Sequence, residues 1–516
     1  ALYTNTSGAD NTGMGRNALF LNTTGNKNVA IGNYALDANT TGSNHVAIGY
    51  AALGANTTAS HNTAVGYYSL NASSGGNNAC FGYQSGKDNT TGDSNTAIGS
   101  AALEANTTGD NNTAVGESAL QSNTTADNNT AVGKRAMETS TTGTQNTAVG
   151  SYALFANTTA NNNTAFGYFA LKENTTGAEN TAIGAHALDA NTTASNNTAI
   201  GYQALTTNTT GATHTAVGRS ALNNNTTGNN NTAVGYYSLV NNETGSNNTA
   251  IGKESLNNNT TADNNTAVGY QALYANTTGA QNTAVGRLAL DANTTASGNT
   301  AIGNAALTAN TTGTACVAVG AYALDANTTA NNNTAVGYAA LGANTTGMSN
   351  TAVGKDALLV STTGINNCGL GVNALEANTT GSNNTALGKQ ALALNTTAND
   401  NVAVGHYALS ATTTGTDNVG VGASALTNNT TSSYNTAVGN RALLVNTAEL
   451  NTAVGSLSMF SNTTGTENTA IGQASLYTNS TGNYNTAVGR YALRLNTTGT
   501  YNSALGWGAL HSNTTA

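Results

Sequence analysis

Five residues, Asn62-Thr63-Ala64-Val65-Gly66, return with small changes about thirty times along this chain. The closing glycine recurs from Gly15 to Gly506 in 27 steps of seventeen residues and 2 steps of sixteen. A fixed period near twenty residues is the signature of a solenoid, in which each repeat buries its apolar face only by stacking on the next. A chain of 516 residues would otherwise suggest several domains. The repeat instead predicts one continuous array over residues 1–516. Both ends fall in mid-repeat: Ala1-Leu2 is in phase with Ala18-Leu19, and Thr515-Ala516 stops inside a turn. Solenoids need capping units, and neither end carries one, so the expectation is a segment of a longer protein.

The bulk composition excludes some functions. Net charge is -9 and charged residues make up 7% of the chain, which offers nothing to attract nucleic acid or an anionic membrane surface. No apolar run approaches the roughly 20 residues that a membrane-spanning helix requires. Cys80, Cys316 and Cys368 stand in different columns of the repeat. The nearest two are three coils apart, about 14 Å at ~4.8 Å per coil, too far for a disulfide within one chain.

The repeats can be compared with one another by numbering from the closing glycine as position 0. Position 16 is always large and apolar (Val65, Val268, Val285), and position 14 is Thr or Val. Between them stands a small residue, as at Ala64, Ala267 and Ala284. Large, small, large is the period of a β-strand. The large residues are expected to point inward, leaving the alanines room for a second backbone or a second chain. Position 4 is Leu in nearly every copy (Leu70, Leu273, Leu290) and joins the expected core. Position 0 accepts only glycine, as at Gly66, Gly269 and Gly286, which implies a backbone constraint. Positions 1 to 6 suit a strand-like or irregular return, or one helical turn. Positions 7 to 13 read as a polar turn. Its recurring asparagines fit stacked amide ladders, or simply the tolerance of Asn for turns. The expected fold is all-β: a parallel β-solenoid, or β-roll, of about thirty coils, with one firm Thr-Ala-Val-Gly strand per coil and a length on the order of 140 Å.

Lys27-Asn28-Val29-Ala30-Ile31-Gly32 and Asn44-His45-Val46-Ala47-Ile48-Gly49 carry a Val-Ala-Ile-Gly core. This core resembles the head repeats of YadA-like trimeric autotransporter adhesins, and it is also similar to repeats of phage and bacterial tail-fibre-like proteins. The resemblance implies a left-handed parallel β-roll with Val and Ile inside, three chains packed through their small residues, and a place on a bacterial or virion surface. The present coil is longer than the family's, and the extra residues fall in the Asn-Thr-Thr-Gly turn.

No catalytic, metal or cofactor site emerges from the residues. The six histidines are dispersed, no His/Cys/Asp set has ligand spacing, and the calcium-binding glycine-aspartate repeats are absent. One pattern points to contact instead. Fifteen of 21 tyrosines and ten of 14 basic residues fall at positions 1 and 2, among them Tyr50, Tyr67, Tyr202, Arg219, Tyr236, Lys253, Tyr270 and Arg287. Acidic residues collect at position 5 and at positions 11 and 12. Such a stripe fits lateral contact with a like rod, as trimer or bundle, or stacking of host-surface glycans or a host protein.

The leading expectation is a non-catalytic extracellular fibre or adhesin stalk that self-assembles. A phage-like tail-fibre shaft is the first alternative and an ice-binding solenoid the second. Ice binding needs threonines that point outward in register. With position 14 expected inside, only positions 8 and 9 would serve.

Overall fold

The computed structural model describes residues 1–515. Thirty strands of three residues run from β1 (Thr12–Met14) to β30 (Ser503–Leu505), one per repeat. Within each half of the chain the strands pair in parallel with their neighbours at an offset of one repeat: Thr181 lies opposite Thr198, Ala182 opposite Ala199 and Ile183 opposite Ile200. The chain is a parallel β-solenoid with a seventeen-residue coil, and none of the described residues is helical. Two compact units divide it, Ala1–Ala262 and Asp263–Ala516. The first carries β1 to β15 (Thr249–Ile251) and the second β16 (Thr266–Val268) to β30.

A three-residue strand persists here because its hydrogen bonding continues around the coil. The amides of Gly201, Gln203 and Thr213 donate back to Ile183, Ala185 and Ser195 of the preceding coil. Those of Leu205, Thr207, Thr209 and Thr215 donate forward to Ala221, Asn223, Thr226 and Asn231. Axial pairing of this kind satisfies backbone groups that a turn would otherwise leave to water. The two sixteen-residue coils keep the strand register: Thr63 still meets Ala79, and Thr436 meets Thr452.

The strand faces the opposite way from the sequence expectation. Ala64, Ala267 and Ala284 are fully buried, their equivalents from Ala30 to Ala504 are buried too, and they point into the coil's own interior. They therefore leave no opening for a second chain. Val65, Val268 and Val285 are only half-buried and lie on the outer face. The reason is the width of the coil. Positions 3, 4, 7, 10, 13 and 15 all point inward, and Leu and Asn already fill the section. Where position 15 has no side chain, a Cβ added at Gly369 or Gly420 would sit 3.4 or 3.1 Å from Leu358 or Leu409. Only a methyl-sized group fits beneath that leucine. The three leucines, Leu70, Leu273 and Leu290, are buried as the column pattern implies.

Adjacent residues at positions 3 and 4 both point inward, which the alternation of a strand does not allow. The chain achieves it with left-handed residues at positions 2 and 4, such as Tyr68 at φ 53° and Leu70 at φ 50°. The segment is thus the irregular return. Left-handed leucine is unfavourable by roughly 1–2 kcal/mol, and its burial against stacked copies of itself offsets that cost. At position 0 the need for glycine is twofold. Gly269 has φ +136°, and a Cβ there would lie 2.5 Å from the Gly286 carbonyl oxygen. Gly66 and Gly286 share the conformation, at φ 141° and 139°.

The interior is unusual in its polar share. Asparagines at position 7 form an amide ladder: Asn39 Nδ2 donates to Asn22 Oδ1 at 2.8 Å, and Asn56 to Asn39 at 3.1 Å. Each also closes its own turn, as Asn39 does to the Gly42 carbonyl at 3.0 Å. Position 13 works differently. Asn180 Oδ1 accepts the backbone N–H of Asn197 at 3.0 Å, and Asn180 Nδ2 donates to the Ala194 carbonyl at 2.9 Å. Hydrogen bonds of this kind offset the cost of burying so many amides.

Candidate functional site

With alanine inside, the strand presents position 14 and position 16 outward. Position 14 is Thr in 22 of 30 strands, and position 16 is Val, Ile or another large apolar residue in all. None of these side chains is charged. Their exposure is high for a central parallel strand: Ile183 is 40% exposed, Ile200 37% and Phe166 52%. Parallel in-register pairing aligns them in two columns, with rungs ~4.8 Å apart and the columns separated by about 6.6 Å. Among the described residues, no position-14 threonine hydroxyl has a hydrogen-bond partner in the chain, from Thr96 to Thr249 and again in the second unit.

The tyrosine and basic residues occupy the neighbouring edge. Tyr50, Tyr67 and Tyr83 stack across three coils, with ring centroids 5.4 and 5.5 Å apart and nearly parallel planes. Arg219 lies 5.8 Å from both the Tyr202 and Tyr236 rings, and Lys253 5.8 Å from Tyr236. These four predicted contact residues therefore meet in consecutive coils. Tyr270 and Arg287 are exposed in the second unit. The stripe is less basic than its composition suggests. Lys134 pairs with Glu117 at 3.1 Å, Lys253 with Glu254 at 3.5 Å and Lys355 with Asp356 at 3.2 Å, all within positions 1 and 2. Arg135 is held by Glu138 of its own coil. Acids thus sit inside the stripe as well as beside it, and much of its charge is balanced within the chain.

Two histidines have a role that a search for metal spacing does not show. His45 and His214 replace the position-13 asparagine. The Asn62 and Asn231 amides donate to their Nδ1 atoms at 3.2 and 3.1 Å. His45 Nε2 lies 2.7 Å from the Ala59 carbonyl. Each ring so mimics an amide, accepting at one nitrogen and donating from the other, which requires the neutral form. Burial lowers the His45 pKa and pushes that of His214 down to about 4. The signal was available in the sequence, since both stand where nearly every other coil has Asn.

The cysteines are free. Burial raises the Cys80 thiol to about 12, and Cys316 donates to the Ala330 carbonyl from the position of an asparagine. Among the described residues, no three His, Cys, Asp or Glu side chains gather as a metal site. Among the described residues, no helix is long and apolar enough to cross a membrane. An open recess lies over Gly342, between Tyr322, Tyr338 and Val360, where position 5 lacks a side chain. No family model matches this chain, and no curated protein matches it.

Proposed function

We propose that this chain is a structural, non-catalytic solenoid that presents a repeating surface outside the cell, as the stalk of a fibre or adhesin. The observation that carries this reading is the identity of the coils. The same axial backbone hydrogen bonds and closely similar outward columns recur along each unit, so chemistry is distributed along the surface rather than gathered at one point. The Val-Ala-Ile-Gly likeness to YadA-like adhesin repeats supports a bacterial or phage surface, though here Val and Ile lie outside the coil. A phage-like tail-fibre shaft is the second reading, resting on the same repeats.

Self-association, as trimer or lateral bundle, cannot use the position-15 alanines, which are sealed within the coil. It would use the tyrosine stripe, through ring stacking more than through charge, because so many of its cations are already paired. Host glycans are the other ligand that suits exposed, stacked tyrosines. The test is sedimentation of the purified chain across concentration and salt, with Tyr50, Tyr67 and Tyr83 changed to Ser as control. Association that survives high salt and is lost in the triple variant is the expected result. A chain that stays monomeric at high concentration, and that no surface glycan retains, would overturn the reading.

A further inference from the structure

We propose that the outward strand face of the first unit, from β6 (Thr96–Ile98) to β15, binds the surface of ice. Ten consecutive strands there carry Thr at position 14, beside a column of Val and Ile broken only by Phe166. That is an array about 40 Å long, with rungs ~4.8 Å apart. The proposal needs only this face and is independent of the fibre reading.

Three features point to solid water rather than to a macromolecule. The first is geometry. Rungs ~4.8 Å apart along the sheet form a regular row whose spacing is near that of oxygen rows in hexagonal ice, and the second column runs about 6.6 Å to its side. Each threonine is β-branched, stands among identical neighbours and is restricted in χ1, so its hydroxyls are ordered before any ligand arrives.

The second is hydrogen-bond demand. Every one of these hydroxyls lacks a partner in the chain, while the threonines at position 8 donate theirs to the next coil: Thr107 to the Thr124 carbonyl at 2.8 Å, and Thr175 to Thr192's at 3.0 Å. An apolar surface packed dry on this face would orphan a hydroxyl on every rung, at about 1–3 kcal/mol each. A lattice of water supplies one partner per rung. The third is charge. No ionised side chain interrupts either column, so nothing on the face would disorder the water between the methyl groups.

The experiment uses the whole chain and three readouts: thermal hysteresis, incorporation into a slowly growing ice hemisphere, and sedimentation. The unaltered chain should depress the growth temperature of a seeded crystal and enter the ice. A variant with Thr164→Tyr, Thr181→Tyr and Thr198→Tyr should lose that activity several-fold, because bulky rings lift the face from the lattice. Thr193→Tyr, on the exposed turn column at position 9, should leave it unchanged. Unaltered circular dichroism and protease resistance establish that the variants are folded. Thr181→Val, which keeps the shape and removes one hydroxyl, provides a milder second variant with a smaller loss in the same direction. The proposal is overturned if the unaltered chain shows neither hysteresis nor incorporation. It fails equally if Thr193→Tyr matches the triple variant, or if the triple variant's only effect is to convert an oligomer to a monomer. The last result would make the face an interface between copies.

Discussion

Two columns of threonine run along each unit, and they differ in what their hydroxyls do. At position 8 the hydroxyl is donated inward along the axis, as from Thr192 Oγ1 to the Thr209 carbonyl at 3.2 Å. At position 14 it points to solvent with no partner in the chain. The internal alignment records the difference. Position 8 is Thr or Ser in every coil except at Glu243, and it is never Val. Position 14 gives way to Val29, Val46, Val317, Val402 and Val419. Exchange of Thr for Val therefore marks a hydroxyl the fold does not use, which says nothing about whether the site is inside. Branching at Cβ is what position 14 favours, because a pleated surface suits it on either face.

The sharpest way to break this picture is to place a carboxylate on each side of one strand. Ala182→Asp puts an unpaired charge into a fully buried column and is expected to destabilise the first unit by about 3–5 kcal/mol. Ile183→Asp, one residue on, faces solvent and should change stability by less than about 1 kcal/mol. Urea midpoints and the onset of proteolysis would measure both. Equal losses would mean that the inside and outside of the strand are wrongly assigned.

The buried histidine gives the next largest effect. The pKa of His214 is lowered from its ordinary 6.5 to about 4 in the folded state. Between those values the unfolded chain binds a proton that the folded chain refuses. Stability is therefore complete above pH 6.5 and falls as pH drops toward 4, by about 3 kcal/mol at 1.36 kcal/mol per unit. His45 adds in the same direction. His214→Asn restores the usual amide and should flatten most of this dependence, as followed by denaturant titration at pH 4.5 and pH 7. A wild-type slope unchanged in the variant would show that the ring is not held neutral.

Period, strand position, the leucine column and the glycine at position 0 were legible because each is a residue preference repeated some thirty times. The orientation of the strand was not. A period of two fixes which residues share a face, but not which face is inner, and a shift of one residue exchanges the two sets. Size normally decides, with large residues inside. Here Leu70, Asn62 and Asn56 and their equivalents already fill a narrow section, so Ala64 is the residue that fits. That competition depends on the turn at positions 1 to 6, whose left-handed leucines no propensity scale anticipates. The outward threonine face was hidden by the same inversion. The tyrosine stripe was visible from composition, whereas its neutralisation by Glu117, Glu254 and Asp356 needed the geometry of adjacent coils.

Breaks in the asparagine ladder offer a smaller, stabilising test. Asn123 Oδ1 is buried without a partner because position 7 of the next coil is Ser140. Asn344 and Asn395 are orphaned in the same way beneath Ser361 and Thr412. Ser140→Asn supplies the missing donor and should raise stability by about 1 kcal/mol, read from the denaturation midpoint. A loss instead would mean that the coil cannot admit the larger amide at that level.

The smallest effect separates the two threonine columns themselves. Thr192→Val removes a hydroxyl that donates to the Thr209 carbonyl, and the loss of one such bond should lower stability by about 1 kcal/mol. The carbonyl keeps the Thr192 backbone amide as a donor, so the loss stays at that scale. Thr198→Val removes a hydroxyl with no partner in the chain, and the valines already found in that column show that the strand accepts the exchange. Its stability should stay within about 0.5 kcal/mol of the parent. In ice-growth assays the ranking should reverse, with Thr198→Val the impaired variant and Thr192→Val unaffected. Stability and surface activity would then be carried by different columns of the same residue. If Thr192→Val proved the impaired variant in ice growth, or Thr198→Val the less stable protein, the division between an inward-bonded and a free hydroxyl would be lost.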